Sequence, residues 1–390
     1  MEKVKLKDIC SMQSGGTPSR SKSEFYTGNI PWAKISDLEK SNDGYIYETE
    51  EHITEEALKS INNRFFKVGT LLLAMYGSVG KTAIAKIDLS TNQAILGINI
   101  IDKNNVDIKY LRYWFTTIKE QLLNRAVGAA LANISLGIVK ELEIPLPNLA
   151  TQQKIATILE QADAIIQNNR AIVQKYDALT QSLFLEMFGD PVKNEKGWEK
   201  KEFKSFGKIS TGNTPSRADA KNYDNDYIEW IKTDNIIENQ FHISKAQEYL
   251  SFEGAKKGRI VKENSLLVTC IAGSLQSIGR AGISNRKIAF NQQINAIEPN
   301  DNVNISFLYF LVKNSRKYIQ DHASSGMKRM LSKGEFEKIK MILPPFTLQN
   351  QFAERVAVIE AQKQQAQLEL AKSEELFQSL LQRAFKGELN

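Results

Sequence analysis

The chain has 390 residues, room for two domains of ordinary size, and its 42% apolar and 25% charged residues fit a soluble globular protein. No apolar run approaches the roughly 20 residues of a membrane span, and Met1 to Leu6 lack the apolar core of a signal peptide. The net charge of +6 is a weak sign of a polyanionic partner, and Cys10 and Cys270 read as reduced thiols of a cytoplasmic protein rather than a disulfide or metal site.

Ser14-Gly15-Gly16-Thr17-Pro18-Ser19-Arg20 is the first copy of a motif that returns later in the chain. Ile30 to Ile35 and Thr70 to Met75 are strand-like, and Gly69, Gly77 and Gly80 punctuate the second as turns or bulges do. Tyr110 to Leu123 has helical spacing. Ile144-Pro145-Leu146-Pro147 is extended, because proline removes a donor and restricts the residue before it. Gln152 to Phe188 then holds neither Gly nor Pro. Ile155, Leu159, Ala162, Ile166, Val173, Tyr176, Leu183 and Met187 mark a coiled-coil seam, and Ile158, Ile165, Ile172 and Leu179 form a second row expected to widen the buried face. Asn169 interrupts the seam with a polar group able to fix register.

The same order then returns. Thr211-Gly212-Asn213-Thr214-Pro215-Ser216-Arg217 repeats the opening at an offset of 197 residues. Ile228 to Lys232 and Ser265 to Thr269 match the strands, and Ile305 to Tyr318 matches the shorter helix. Asn291-Gln292 matches Asn92-Gln93, Ser332 matches Ser135, and Leu343-Pro344-Pro345 matches the proline stretch. A second long helix runs from Leu348 to about Phe385 with the stripe Phe352, Val356, Ile359, Ala366, Leu370, Phe377 and Leu380, interrupted by Lys363. Each long helix would be on the order of 55 Å at 1.5 Å per residue. A duplication of this size means two similar domains rather than a solenoid. Each long helix carries a net charge of −1, so the rest of the chain carries +8, which suits domains that touch phosphates and helices that touch protein.

Two catalytic readings fail on their own chemistry. Gly77-Ser78-Val79-Gly80-Lys81-Thr82 resembles the end of a phosphate-binding P-loop, but Met75 stands where the first glycine must turn the loop. Its counterpart, Gly273-Ser274 to Gly279-Arg280, has no Lys-Thr pair. Leu343-Pro344-Pro345-Phe346 resembles the tetrapeptide of amino-methyltransferases, yet Leu343 cannot accept a hydrogen bond from a target amino group. His52, His242 and His322 follow no metal-ligand spacing, so neither catalysis nor a metal is expected of this chain.

The duplicated Thr-Pro-Ser-Arg opening and the glycine loops suggest a family. So do the helix entries at Gln152-Gln153-Lys154-Ile155 and Gln349-Asn350-Gln351-Phe352, and the exits at Met187 to Pro191 and Phe385 to Leu389. Together, and in this order, they resemble the specificity subunit of type I restriction–modification systems. The resemblance implies an α+β fold of two tandem mixed α/β target recognition domains, residues 1–149 and 191–346. Each is followed by a long helix, residues 150–190 and 347–390, and the helices form an antiparallel coiled coil with pseudo-two-fold symmetry. It further implies that each domain reads half of a bipartite double-stranded DNA target. The helices set the spacing and dock methyltransferase subunits. Motor-nuclease subunits join, and S-adenosylmethionine, ATP and Mg belong to those partners, with no cofactor on this chain. A stand-alone DNA-binding or scaffolding protein of the same fold is the alternative.

Basic and polar residues of the repeated loops are the DNA-contact candidates. Arg20, Lys34, Lys81, Arg217, Lys232 and Arg280 suit phosphate or guanine, and Asn92, Gln93, Asn291 and Gln292 suit adenine edges. Thr17, Ser19, Ser78, Thr214, Ser216 and Ser274 accompany them in the same loops. Elements shared by both domains suit framework better than code. The unshared stretches, 43–62, 126–133, 235–253 and 324–330, are therefore expected to carry the code, Lys328 and Arg329 among them.

Overall fold

A computed structural model describes residues 2–125, 133–324 and 329–389. The chain divides into two compact units, Met1–Ala171 with Ala366–Asn390, and Ile172–Gln365. Each unit therefore holds one mixed α/β domain and one part of each long helix.

In the first unit, one sheet has the order Cys10–Ser14, Ile95–Ile100, Leu71–Ala74, Thr82–Ala85, Tyr45–Ile46. A second has the order Glu51–Ile53, Ile30–Ala33, Leu89–Thr91, Phe65–Phe66, with Ile30–Ala33 parallel to Leu89–Thr91. The second unit repeats this as Gly207–Thr211, Ile294–Pro299, Ser265–Thr269, Ala281–Ser284, and as Tyr249–Leu250, Ile228–Ile231, Ile288–Phe290, Ile260–Val261. It keeps the parallel pair, Ile228–Ile231 with Ile288–Phe290. The strand Tyr45–Ile46 is reduced there to one parallel bridge between His242 and Ile283.

The strand expected over residues 30–35 ends at Ala33, because the Asp37 carboxylate accepts the Lys34 amide at 2.7 Å and starts the helix Ile35–Lys40. The helix expected over 110–123 is two helices, Ile108–Thr117 and Lys119–Arg125. Its counterpart breaks likewise into Ile305–Asn314 and Arg316–Asp321.

The long helices run Leu149–Phe188 and Phe346–Lys386. Gln152 and Gln349, both 0% exposed, lock their first turns to the mixed α/β domains. Gln152 accepts from the Asp107 amide at 2.9 Å and donates to the carbonyls of Asn105 and Pro147 at 2.8 and 2.7 Å. Gln349 accepts from Asn304 at 2.9 Å and donates to Asn302 and Pro344 at 3.2 and 2.8 Å. Buried amides with every strong bond made are stiff joints, and they give the proline stretches a structural role. The first helix stops at Gly189, whose φ of +76° supplies the left-handed residue that closes many helices.

Within the first unit, Ile155, Leu159, Ala162 and Ile166 join one core with Phe377, Leu381 and Ala384. Within the second, Phe184, Phe188 and Phe352 pack with Phe307. Burial near the end of the first helix thus falls on Phe184 and Phe188, while Leu183 and Met187 of the expected seam are half-buried. The expected second row is not buried. Ile165, Ile172 and Leu179 are 50, 41 and 49% exposed, because the mixed α/β domains supply apolar cover only to the other face. Asn169 donates to Ser373 Oγ at 2.9 Å, and buried Lys363 bonds Asp177 at 2.8 Å and the Asn239 carbonyl at 3.2 Å.

Candidate nucleic-acid interface

The repeated opening lies where a strand of one sheet passes the end of a strand of the other. Backbone crowding dictates its glycines. A Cβ on Gly15 would lie 2.1 Å from Thr91 Oγ1, and one on Gly212 would lie 2.1 Å from the Asn291 carbonyl oxygen. The chain then rises to an exposed tip carrying Thr17, Ser19 and Arg20 in one unit and Thr214, Ser216 and Arg217 in the other. The Thr17 hydroxyl donates to Gln93, and the Thr214 hydroxyl to Gln292, which joins the two loops predicted from the repeat.

Behind each tip is the same cluster of charge and aromatic rings. Arg20 pairs with Glu51 at 2.7 Å, and Lys34 takes the other oxygen of that carboxylate at 2.6 Å. The Arg20 guanidinium lies 4.2 Å from the ring centre of Tyr26 and 5.0 Å from that of Trp32. Tyr26 donates to the Pro18 carbonyl at 2.7 Å, and Trp32 Nε1 to that of Gly16 at 3.1 Å, so the rings also hold the tip. In the second unit Arg217 and Lys232 share Glu248. Arg217 lies 5.1 and 5.2 Å from Tyr223 and Trp230, and those rings bond Pro215 and Asn213 at 2.7 and 3.3 Å.

One carboxylate facing two cations stays ionised. Burial raises the Glu51 pKa, but Lys34 and Arg20 outweigh it and hold the group below its ordinary range. Glu248 is held low by Lys232 first and then Arg217, against burial. Each cluster keeps a net positive charge, and Arg20 and Arg217 are 52 and 57% exposed, so each guanidinium has a free face beside its carboxylate. Lys34 and Lys232 are tied further back, at 25 and 31%.

The other predicted residues divide. Gln93 and Gln292 are exposed beside the tips. Asn291 is buried, and its amide bonds Gln293 at 3.0 and 3.1 Å; half-buried Asn92 accepts from the Ala94 amide at 3.2 Å. These two asparagines shape their loops, so only the glutamine of each pair is exposed, its amide oxygen accepting from Thr17 or Thr214. Ser78 donates to Glu39, and Ser274 pairs with Ser277 at 3.1 Å. Lys81 turns inward to the Ser41 carbonyl at 3.1 Å, and Arg280 is 3.1 Å from Glu238. Neither lies in the cluster behind the tip. Lys328 and the stretches 126–132 and 325–328 lie outside the described residues. Of Arg329 only the backbone is described, in a strand paired with Ile271–Ala272.

Sequence reasoning missed Glu51 and Glu248, Tyr26 and Tyr223, and Trp32 and Trp230. The two acids fall inside stretches taken as unshared, yet they are 197 residues apart, the offset of the repeat itself. That register was the available signal.

A family profile described as type I restriction modification DNA specificity domain matches twice, over residues 1–175 and 195–370. Over 251 residues the chain is 35% identical to the type I restriction enzyme MjaIX specificity subunit of Methanocaldococcus jannaschii, covering 60% of this chain and 57% of that protein. Over 199 residues it is 31% identical to the HindI specificity subunit of Haemophilus influenzae, covering 50% and 42%. The alignments thus span about half the length of these relatives. The crystal structure of a type I restriction–modification S subunit from M. genitalium has the same fold, with a TM-score of 0.59 over 98% of this chain and 96% of that one at 16% identity.

Proposed function

Since this chain belongs to the type I restriction–modification DNA specificity family, we propose that it is the address reader of a methyltransferase–nuclease complex and performs no catalysis itself. Each recognition domain reads one half of a bipartite DNA target. The observation that carries this reading is the repetition of one exposed Arg-bearing tip, with its acid and its two rings, in both units. Arg20 and Arg217 contact phosphate or guanine, with Thr17, Ser19, Gln93 and Thr214, Ser216, Gln292 beside them. Identical tips position the two domains alike on the duplex backbone, and unshared loops nearby discriminate bases.

The long helices pair antiparallel and set the unread spacer. In the second unit, later residues of one helix meet earlier residues of the other: Asp177 meets Lys363, and Phe188 meets Phe352. Exposed Ile165, Ile172, Leu179, Val358, Leu368 and Leu376 supply apolar surface for methyltransferase subunits. Those subunits bring S-adenosylmethionine, and motor-nuclease subunits bring ATP and Mg, in the cytoplasm. No helix among the described residues is long and apolar enough to cross a membrane.

Co-expression with the cognate methyltransferase should methylate one bipartite sequence in single-molecule sequencing. Replacing residues 1–149 by another recognition domain should change one half-site only. A change in both halves, or no methylation from an assembled complex, would overturn the reading.

A further inference from the structure

The first unit has a cleft of about 580 Å³ between its recognition domain and its helix segments. Lys81, Arg112, Lys119 and Arg170 line it, and two of these cations are already paired. Arg112 faces Asp163 at 3.4 Å and Arg170 faces Glu374 at 2.6 Å. Among the described residues, Lys81 bonds only the Ser41 carbonyl and Lys119 makes no ion pair. Glu375, also on the lining, is exposed. Two buried polar atoms of lining residues lack partners, Arg112 Nε and Ser41 Oγ, on side chains of residues only 7% exposed. The Tyr113 hydroxyl feels the Arg112 charge but has no aligned hydrogen-bond partner. Burial, then Arg112 and Lys119, hold the Lys81 ammonium below its ordinary range. Lys81, repelled by its neighbouring cations and set beside orphaned polar atoms, has room for an anion.

The second unit shows what belongs there. A Cβ on Gly80 would lie 3.1 Å from Lys119 Cγ, and one on Gly279 would lie 3.1 Å from Arg316 Cγ, so Lys81 and Lys119 correspond to Arg280 and Arg316. Between those two arginines sits Glu238, 2.5 Å from Arg316 Nη1 and 3.1 Å from Arg280 Nε, and the space left is about 20 Å³. In the first unit the lining acids Asp163 and Glu374 face Arg112 and Arg170, and among the described residues no carboxylate sits between Lys81 and Lys119.

We propose that this cleft binds a small phosphorylated or carboxylated molecule, its oxyanion seated by Lys81 and Lys119 as the second unit seats Glu238. The volume is that of a small-molecule site, and Tyr113 and Phe377, with ring centres 6.1 Å apart, offer an apolar wall beside the cations. The helix residues Asp163, Arg170 and Glu374 line the same cleft, so occupancy would tie the first recognition domain to its helix segments.

Calorimetry on the full chain tests this with pyrophosphate as the phosphoryl probe and citrate as the carboxylate probe. One equivalent of at least one probe should bind. Lys119→Ala should weaken it about tenfold or more, as losing one charged contact does. Lys119→Glu, which puts a carboxylate on the lining itself, should abolish it, and this exposed site should leave circular dichroism unchanged. Glu238→Ala should raise the stoichiometry from one to two. Failure of both probes to bind, or binding indifferent to Lys119→Ala and Lys119→Glu, overturns the proposal. So does displacement of the probe by short duplex DNA that Lys119→Ala abolishes, since the cleft would then be a DNA contact. None of these outcomes depends on target recognition by the tips.

Discussion

At the tips the two units agree almost atom for atom: an arginine between two rings, one glutamate, one lysine. Where the recognition domains meet the long helices they diverge. Tyr110, Ile155, Leu381 and Phe385 of the first unit occupy the repeat positions of Phe307, Phe352, Phe184 and Phe188, so the second unit packs four phenylalanines together. The second unit also buries Lys363 where the repeat places Ile166 in the first. The duplicated elements agree where both copies must do one job on one kind of surface. They differ where each needs only a filled core, because many side-chain sets fill a volume and few hold an arginine at a fixed angle.

Four sets of substitutions probe this contrast, in falling order of effect. Phe352→Ala should cost about 3–5 kcal/mol, since it opens the aromatic cluster, whereas Ile155→Ala at the matching place should cost about 2–4 kcal/mol. Urea denaturation should show the difference, and equal losses would mean that the clusters are equivalent after all. Lys363→Ala should cost about 1–3 kcal/mol, because it removes the buried partner of Asp177, which is 30% exposed and keeps Lys313 at 3.8 Å. Lys363→Met with Asp177→Asn should recover most of that in the same assay, and no recovery would show that the lysine acts through its bond to Asn239.

Gln152→Ala and Gln349→Ala should each cost about 1–3 kcal/mol and nearly the same amount, as each leaves three backbone groups short of a partner. Unequal losses would break the equivalence of the two joints. Smallest in stability, Glu51→Gln and Glu248→Gln should each change it by under about 1 kcal/mol, as partly exposed pairs do. They free Arg20 at one tip, where Lys34 keeps Glu50 at 3.6 Å, and Arg217 and Lys232 at the other, so non-specific DNA binding should tighten and its salt dependence steepen by about one to two units. Unchanged salt dependence would remove the tips from the interface. Both carboxyl pKa values are depressed, so the clusters contribute stability above the ordinary glutamate value of 4.5 and lose it as pH falls through the lower folded values. Acid titration of the glutamine variants should lack that loss.

Much of this was legible beforehand. The repeat register gave two domains, two long helices and, in each half, an opening loop and an Asn-Gln loop as repeated pieces. What escaped has a common cause. Glu51 and Glu248 lie in stretches whose neighbours differ, so a match of single residues was invisible beside mismatched flanks. Lys81 and Arg280 look alike as basic residues after a glycine loop. Whether such a residue faces outward depends on what lies across from it, here Ser41 and Glu238, far off in sequence. The exposed row Ile165, Ile172 and Leu179 misled for the converse reason: periodicity names the apolar positions of a helix but not which side receives cover.

The sequence by itself determined the duplication, the element order, the extent of the helices and the polar interruptions at Asn169 and Lys363, because local spacing and composition encode these directly. Only the tertiary structure decided which cations are neutralised, which asparagines are spoken for and which unit keeps an empty cleft. Those outcomes depend on charges and volumes meeting across distant segments, as when the carboxylate of Glu238 settles between Arg280 and Arg316.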